Sequence, residues 1–96
     1  MIVYHATPLS NCESIERDGL CTVFAQGAER IWVARSPATI QRILPHLHKV
    51  HHHAPTEYYA IFTVNVPRSW LRRYGKVRGL YYICGDVPTE RVWRYA

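Results

Sequence analysis

Histidine, arginine and the few carboxylates are the residues here whose spacing bears on chemistry. His5 stands in Tyr4-His5-Ala6-Thr7, directly after a short apolar run. A histidine at a strand terminus, followed by a loop, presents its ring to a cleft, where it bonds a ribose hydroxyl or acts as a base. The bland alternative is a ring satisfied by local backbone, and residues 4–7 alone leave both open. His48 and His52 are four apart, so a continued helix would put them on one face as a zinc or nickel pair. Such a site would need His46, His51, Glu57 or a distant cysteine as well. The spacing matches no zinc motif, so a solvated loop is the better expectation and no metal is expected. Arg68, Arg72, Arg73, Lys76 and Arg78 form a local cationic cluster. Guanidinium forks suit phosphates, which makes this stretch a candidate nucleic-acid contact, against the alternative of a solvated basic face. Tyr58-Tyr59, Tyr81-Tyr82, Trp70 and Trp93 could stack bases beside it, although paired aromatics in strands are mostly cross-strand packing.

Positioning these groups falls to a small chain. It has 96 residues, 48% hydrophobic and 20% charged, with a net charge of +5. That composition fits a single domain spanning 1–96 with one modest core, and excludes a disordered tail. No apolar run approaches the ~18 residues of a membrane span. The opening Met-Ile-Val-Tyr-His has neither a basic nor an apolar leader region, so no secretory signal, no membrane partner and a cytoplasmic location are expected. Cys12, Cys21 and Cys84 are odd in number and widely spaced, which reads as reduced, mostly buried thiols.

Ile2-Val3-Tyr4 reads as a strand ending at His5. Ser10-Asn11-Cys12-Glu13 has the pattern of a capping box, opening a helix that buries Cys12 and Ile15 and exposes Glu13, Glu16, Arg17 and Asp18. Gly19 is its natural stop, with Leu20 folding back. Residues 21–30 read as irregular. Ile31-Trp32-Val33-Ala34 is a second strand, and Ser36-Pro37 caps a helix whose Ile40, Ile43, Leu44 and Leu47 share one face. Tyr58 to Val66 is the longest strand, with Ala60, Phe62, Val64 and Val66 on one side. Ser69-Trp70-Leu71 suggests a helical turn, Leu80 to Cys84 a further strand, and Val92 to Tyr95 an edge strand. Strands dominate the second half, which predicts an α+β fold rather than a parallel doubly wound one.

Three blocks carry a family resemblance. Tyr4-His5-Ala6-Thr7 with Ser14-Ile15-Glu16-Arg17-Asp18-Gly19-Leu20 resembles the opening of ADP-ribosyltransferase-fold proteins, which RNA 2′-phosphotransferases share. Ile31-Trp32-Val33-Ala34-Arg35-Ser36 is similar to the next block. Gly79 to Val92, containing Asp86-Val87-Pro88-Thr89-Glu90, is similar to the last. The resemblance implies a split antiparallel β-sandwich with two short helices and a central cleft for NAD. It implies that His5, helped by Thr7, holds ribose hydroxyls and that Trp32 stacks on nicotinamide, with Tyr4, Ala34 and Ser36 also lining the cofactor site. The glutamate usual at the start of the last strand is replaced by Leu80 or Tyr81. With Glu13, Glu16 and Asp18 facing outward, and Glu29 before the second strand, the acids left for catalysis beside His5 are Glu57, Asp86 and Glu90. An arginine usual in the phosphotransferase branch is missing from Pro8-Leu9-Ser10, so full phosphotransfer is not expected.

The expected activity is transfer of ADP-ribose from NAD to a protein or nucleic-acid acceptor. The alternative is a degenerate module that keeps the fold and binds nucleotide, nucleic acid or a protein partner. A small metal- or RNA-binding protein with a coincidental resemblance is the third possibility.

Overall fold

The computed structural model describes residues 1–22, 30–42 and 59–95. Among the described residues, six strands form one antiparallel sheet in the order β4-β5-β2-β1-β3-β6. They are β1 (Ile2–Pro8), β2 (Ile31–Ala34), β3 (Tyr59–Asn65), β4 (Arg72–Arg73), β5 (Leu80–Ile83) and β6 (Val92–Arg94). Helix α1 (Cys12–Asp18) follows β1, and α2 follows β2 over residues 37–42. The α+β expectation with two short helices holds. Instead of two separately packed sheets, the described strands make a single sheet that narrows in the middle.

That narrowing is the main feature of the topology. β1 and β3 are in register over seven pairs, from Ile2↔Asn65 to Pro8↔Tyr59, whereas β1 and β2 share one pair, Tyr4↔Ala34. β2 in turn pairs with β5 along its whole length, Ile31↔Ile83 to Ala34↔Leu80. The sheet is therefore two well-bonded halves, β2-β5-β4 and β1-β3-β6, joined at a seam.

Alternation along the strands gives each face its own core. On the first face Val3, Val33, Phe62, Val64, Val66 and Ile83 are buried beneath Ile15 of α1 and the buried Leu20 and Val87. On the second face Ala6, Ala34 and Leu80 pack with Ile40 of α2, flanked by the half-buried Tyr4, Trp32, Tyr59 and Ile61. Ser36 caps α2 as the sequence predicts: its Oγ accepts the Thr39 N–H at 3.2 Å. Ile43, Leu44, Leu47, the histidines from His46 to His53, Glu29 and Glu57 lie outside the described residues.

Four local expectations need correction. β1 runs on past His5 to Pro8, because β3 offers it partners along that length. The capping box does not form: Leu9–Asn11 is a 3-10 turn, Asn11 is the helix cap without a side-chain cap bond, and Ser14 Oγ donates to the Asn11 carbonyl at 3.1 Å. The turn around Trp70 is Arg68–Trp70 and leads into β4, which lies inside the cationic cluster. All three cysteines are free, but Cys84 is exposed and Cys12 and Cys21 are half-buried. No helix among the described residues is long and apolar enough to cross a membrane.

Gly19 ends α1 by closing on the Ile15 carbonyl at 2.8 Å, with φ at +78°. Leu20 is then held to Val87 by two backbone bonds of 2.9 and 2.8 Å, which fasten the helix exit to the segment after β5. A Cβ on Gly19 would collide with the Val87 carbonyl oxygen, whereas one on Gly75, also at positive φ, would meet nothing. Alanine in left-handed backbone costs about 1 to 2 kcal/mol. Gly75→Ala is expected to lose about that, and Gly19→Ala more, because the bridge to Val87 must also part. Thermal melts check the order, with each kcal/mol worth roughly 4–8 °C at this size. Equal losses would show that the Leu20–Val87 bridge is not a constraint.

Candidate functional site

His5 lies on β1 beside the seam. Its backbone is in register with Phe62 of β3, while beyond the Tyr4–Ala34 pair the β2 side has no ladder partner for it. The ring fills that gap: Nδ1 is 2.8 Å from the Trp32 carbonyl oxygen. A carbonyl only accepts, so Nδ1 carries the proton and Nε2 keeps its lone pair. Burial holds the imidazole pKa below its ordinary 6.5, a shift only partly offset by the bond to Trp32. Near neutral pH His5 is thus a neutral ring in a fixed tautomer, with Nε2 a hydrogen-bond acceptor and a base.

Trp32 belongs by alternation to the second face, where it packs on the cluster of Ala6, Ala34, Ile40 and Leu80. Its ring centroid is nevertheless 5.3 Å from that of His5, inclined at 50°. The open seam lets the two rings approach from strands that pair only once. Indole offers a large π-face with affinity for a flat cation. The sequence singled out both rings, but not the bond between them, because a backbone carbonyl leaves no signature in side-chain pattern.

The other residues expected at the cofactor site divide. Tyr4 is half-buried on the second face, edge-on to Tyr95 with centroids 5.3 Å apart. Thr7 is buried, and its Oγ1 accepts from Asn11 Nδ2 at 3.0 Å, which ties it to the turn after β1. Ala34 is fully buried and bears on the site through its backbone pairing with Tyr4. Ser36 Oγ is engaged at the start of α2, with Thr39 Oγ1 at 3.0 Å as well as the Thr39 N–H.

The candidate acids have other attachments. Asp86 Oδ1 accepts the Thr22 N–H at 2.8 Å and the Thr22 hydroxyl at 3.0 Å, and these bonds hold its carboxyl below the ordinary carboxylate value. Glu90 is exposed in the 3-10 turn Thr89–Arg91. Its neighbour Arg91 turns away, donating to the Asn65 carbonyl at 3.1 Å and covering the Trp70 ring at 5.2 Å. At the position where a glutamate would stand, Leu80 is buried and Tyr81 is half-buried. Glu13, Glu16 and Asp18 are exposed on α1 as expected.

The cationic cluster is a separate surface at the β4–β5 edge. All five of its residues are exposed. A groove of about 420 Å³ there is lined by Met1, Arg68, Leu71, Arg73 and Tyr81. Arg72 belongs to the cluster in sequence but braces the backbone, with Nη1 donating to the carbonyls of Ser69 at 2.7 Å and Leu71 at 3.0 Å. Of the aromatics that the sequence offers beside the cluster, Tyr81 lines this groove, while Trp70 lies under Arg91. No group of three or more metal-ligating side chains occurs among the described residues. No protein-family model matches the chain, and comparison with curated proteins finds no match.

The His5 geometry fixes a direction of pH dependence. With the folded pKa depressed, the unfolded chain takes up the proton first, so this contribution to stability is whole above about pH 6.5 and is lost as pH falls toward the folded value. Wild type should therefore lose melting temperature relative to His5→Gln between about pH 7.5 and pH 5. A difference that stays constant across that range would show that the ring is not held neutral by the fold.

Proposed function

We propose that the chain is an ADP-ribosyltransferase-like protein that binds NAD at the seam and transfers ADP-ribose to a protein or nucleic-acid acceptor. The observation that carries this is the His5–Trp32 pair. Locking Nδ1 on the Trp32 carbonyl leaves Nε2 to accept a hydrogen bond from a ribose hydroxyl, and the adjacent indole supplies a face for the nicotinamide cation. Binding of this type needs no metal and no charged partner. What glycosidic cleavage adds is positive charge on the ribose as nicotinamide leaves, which a carboxylate would stabilise.

That requirement favours a second reading, a nucleotide-binding module without turnover. Asp86 is engaged with Thr22, and Leu80 and Tyr81 offer no carboxylate. Both readings share the same ligand and differ only in its fate.

Titration of the protein with NAD by calorimetry, followed by chromatography for released nicotinamide, separates them. Binding is expected in wild type and a drop of about tenfold in affinity in Trp32→Ala, the scale of one missing stacking partner. His5→Ala, with its melt measured to verify folding, should also weaken binding. Release of nicotinamide that disappears in folded His5→Ala supports the transferase; binding without release supports the module. Absence of NAD binding would overturn both.

A further inference from the structure

The β4–β5 edge carries a second surface that the NAD reading does not use. From Tyr58 to Gly85 the chain contains no Asp or Glu, yet it holds Arg68, Arg72, Arg73, Lys76 and Arg78. None of these five is in an ion pair among the described residues, where the pairing of opposite charges is Arg17 with Asp18 on α1. Their charge is therefore presented to solvent uncompensated, on a short edge of the sheet.

Aromatic surface is interleaved with that charge. Register places Arg73 of β4 opposite Tyr81 of β5, and both line the groove together with Arg68 and Leu71. Trp70, 37% exposed on the turn before β4, carries the Arg91 guanidinium over its ring at 5.2 Å. On the other face of the same two strands Arg30 lies 4.5 Å over the Tyr82 ring, and Tyr74 meets Tyr82 edge-on at 6.4 Å. Cations that follow a phosphate chain, alternating with rings on which bases stack, are the recognition chemistry of single-stranded nucleic acid. A duplex would use the charges but leave the rings idle, because its bases are already stacked. An acidic protein surface would likewise make little use of the Tyr81 ring between Arg68 and Arg73.

We propose that the groove lined by Arg68, Arg73 and Tyr81 binds single-stranded nucleic acid, with the two guanidinium groups on phosphates and the Tyr81 ring against a base. Arg72 is a positioning residue for this surface, since its Nη1 ties the Arg68–Trp70 turn to the start of β4. The surface is independent of NAD and stands whether or not the seam binds nucleotide.

The test is fluorescence anisotropy with a labelled polythymidine of about 12 nucleotides, within the span such grooves cover. Wild type should bind with affinity that falls steeply with salt. Arg68→Ala/Arg73→Ala should weaken binding by about tenfold or more and flatten the log–log salt slope by about 1.4, or about 0.7 for each phosphate no longer neutralised. Both side chains are exposed, so the melting temperature should hold. Arg68→Lys/Arg73→Lys should retain most of the slope, because point charges still meet phosphates. Arg72→Ala should weaken binding less than the double variant does, while lowering the melt. Absence of salt-dependent binding, binding unchanged in the double alanine variant, or tighter binding to a duplex of the same length would each overturn the proposal.

Discussion

Among the described residues, the hydrogen bonding that joins β1 to β2 is one backbone pair, Tyr4 with Ala34, and one side-chain bond, His5 to the Trp32 carbonyl. Everything distinctive about the molecule follows from how little joins β1 to β2. A full ladder would carry the Trp32 carbonyl to a β1 amide and point His5 and Trp32 to opposite faces. With the ladder reduced to one pair, the carbonyl is left for an imidazole, and that imidazole sets its tautomer. A buried backbone acceptor without a partner is unfavourable, so the ring is held by the need to satisfy the strand as much as by its own packing. The same bond that repairs the sheet leaves a base beside an aromatic plane.

Charge is distributed as unevenly as the hydrogen bonding. The exposed carboxylates of Glu13, Glu16 and Asp18 ride on α1, over the first face, and Asp86 is drawn into the loop that follows β5. Five of the twelve cations, Arg68, Arg72, Arg73, Lys76 and Arg78, lie instead in and beside β4, at the outer edge of the β2-β5-β4 half. At ionic strengths near physiological such fields reach about 8–10 Å, far enough to separate an anion-attracting edge from an acidic helix on a domain this small. The apolar cores on either face are untouched by this arrangement, since their members are aliphatic or aromatic throughout.

Much of the scaffold was legible because it obeys local rules. The two-residue alternation of Ala60, Phe62, Val64 and Val66 is the buried stripe of β3, and Ser36-Pro37 starts a helix for the reason serine and proline ordinarily do. Gly19-Leu20 stops a helix as read. What sequence could not supply were features decided by distant partners. The extension of β1 past His5 depends on β3, more than fifty residues away. Asn11 displaced the expected capping box because a 3-10 turn, coupled to Thr7, was already in place. At the site, His5 and Trp32 were visible as residues and their proximity was not, since strand alternation alone would part them. The bracing role of Arg72 was hidden as well, because its bonds run to the backbone carbonyls of Ser69 and Leu71, which leave no mark in the side-chain pattern.

The sparse β1–β2 junction also governs the order in which the chain can acquire structure. β1, α1 and β2 occupy the first third of the sequence, yet they share a single sheet pair, and their long ladders wait for β3 and β5. A nascent chain that has emerged only as far as Ala34 thus has strands without neighbours and an unfinished core. Closure of loops spanning some fifty residues must come before most of the stabilisation, the regime in which folding is slow and unpaired edges are exposed to other chains. Each half of the sheet therefore depends on a strand from the second part of the sequence, β3 for β1 and β5 for β2.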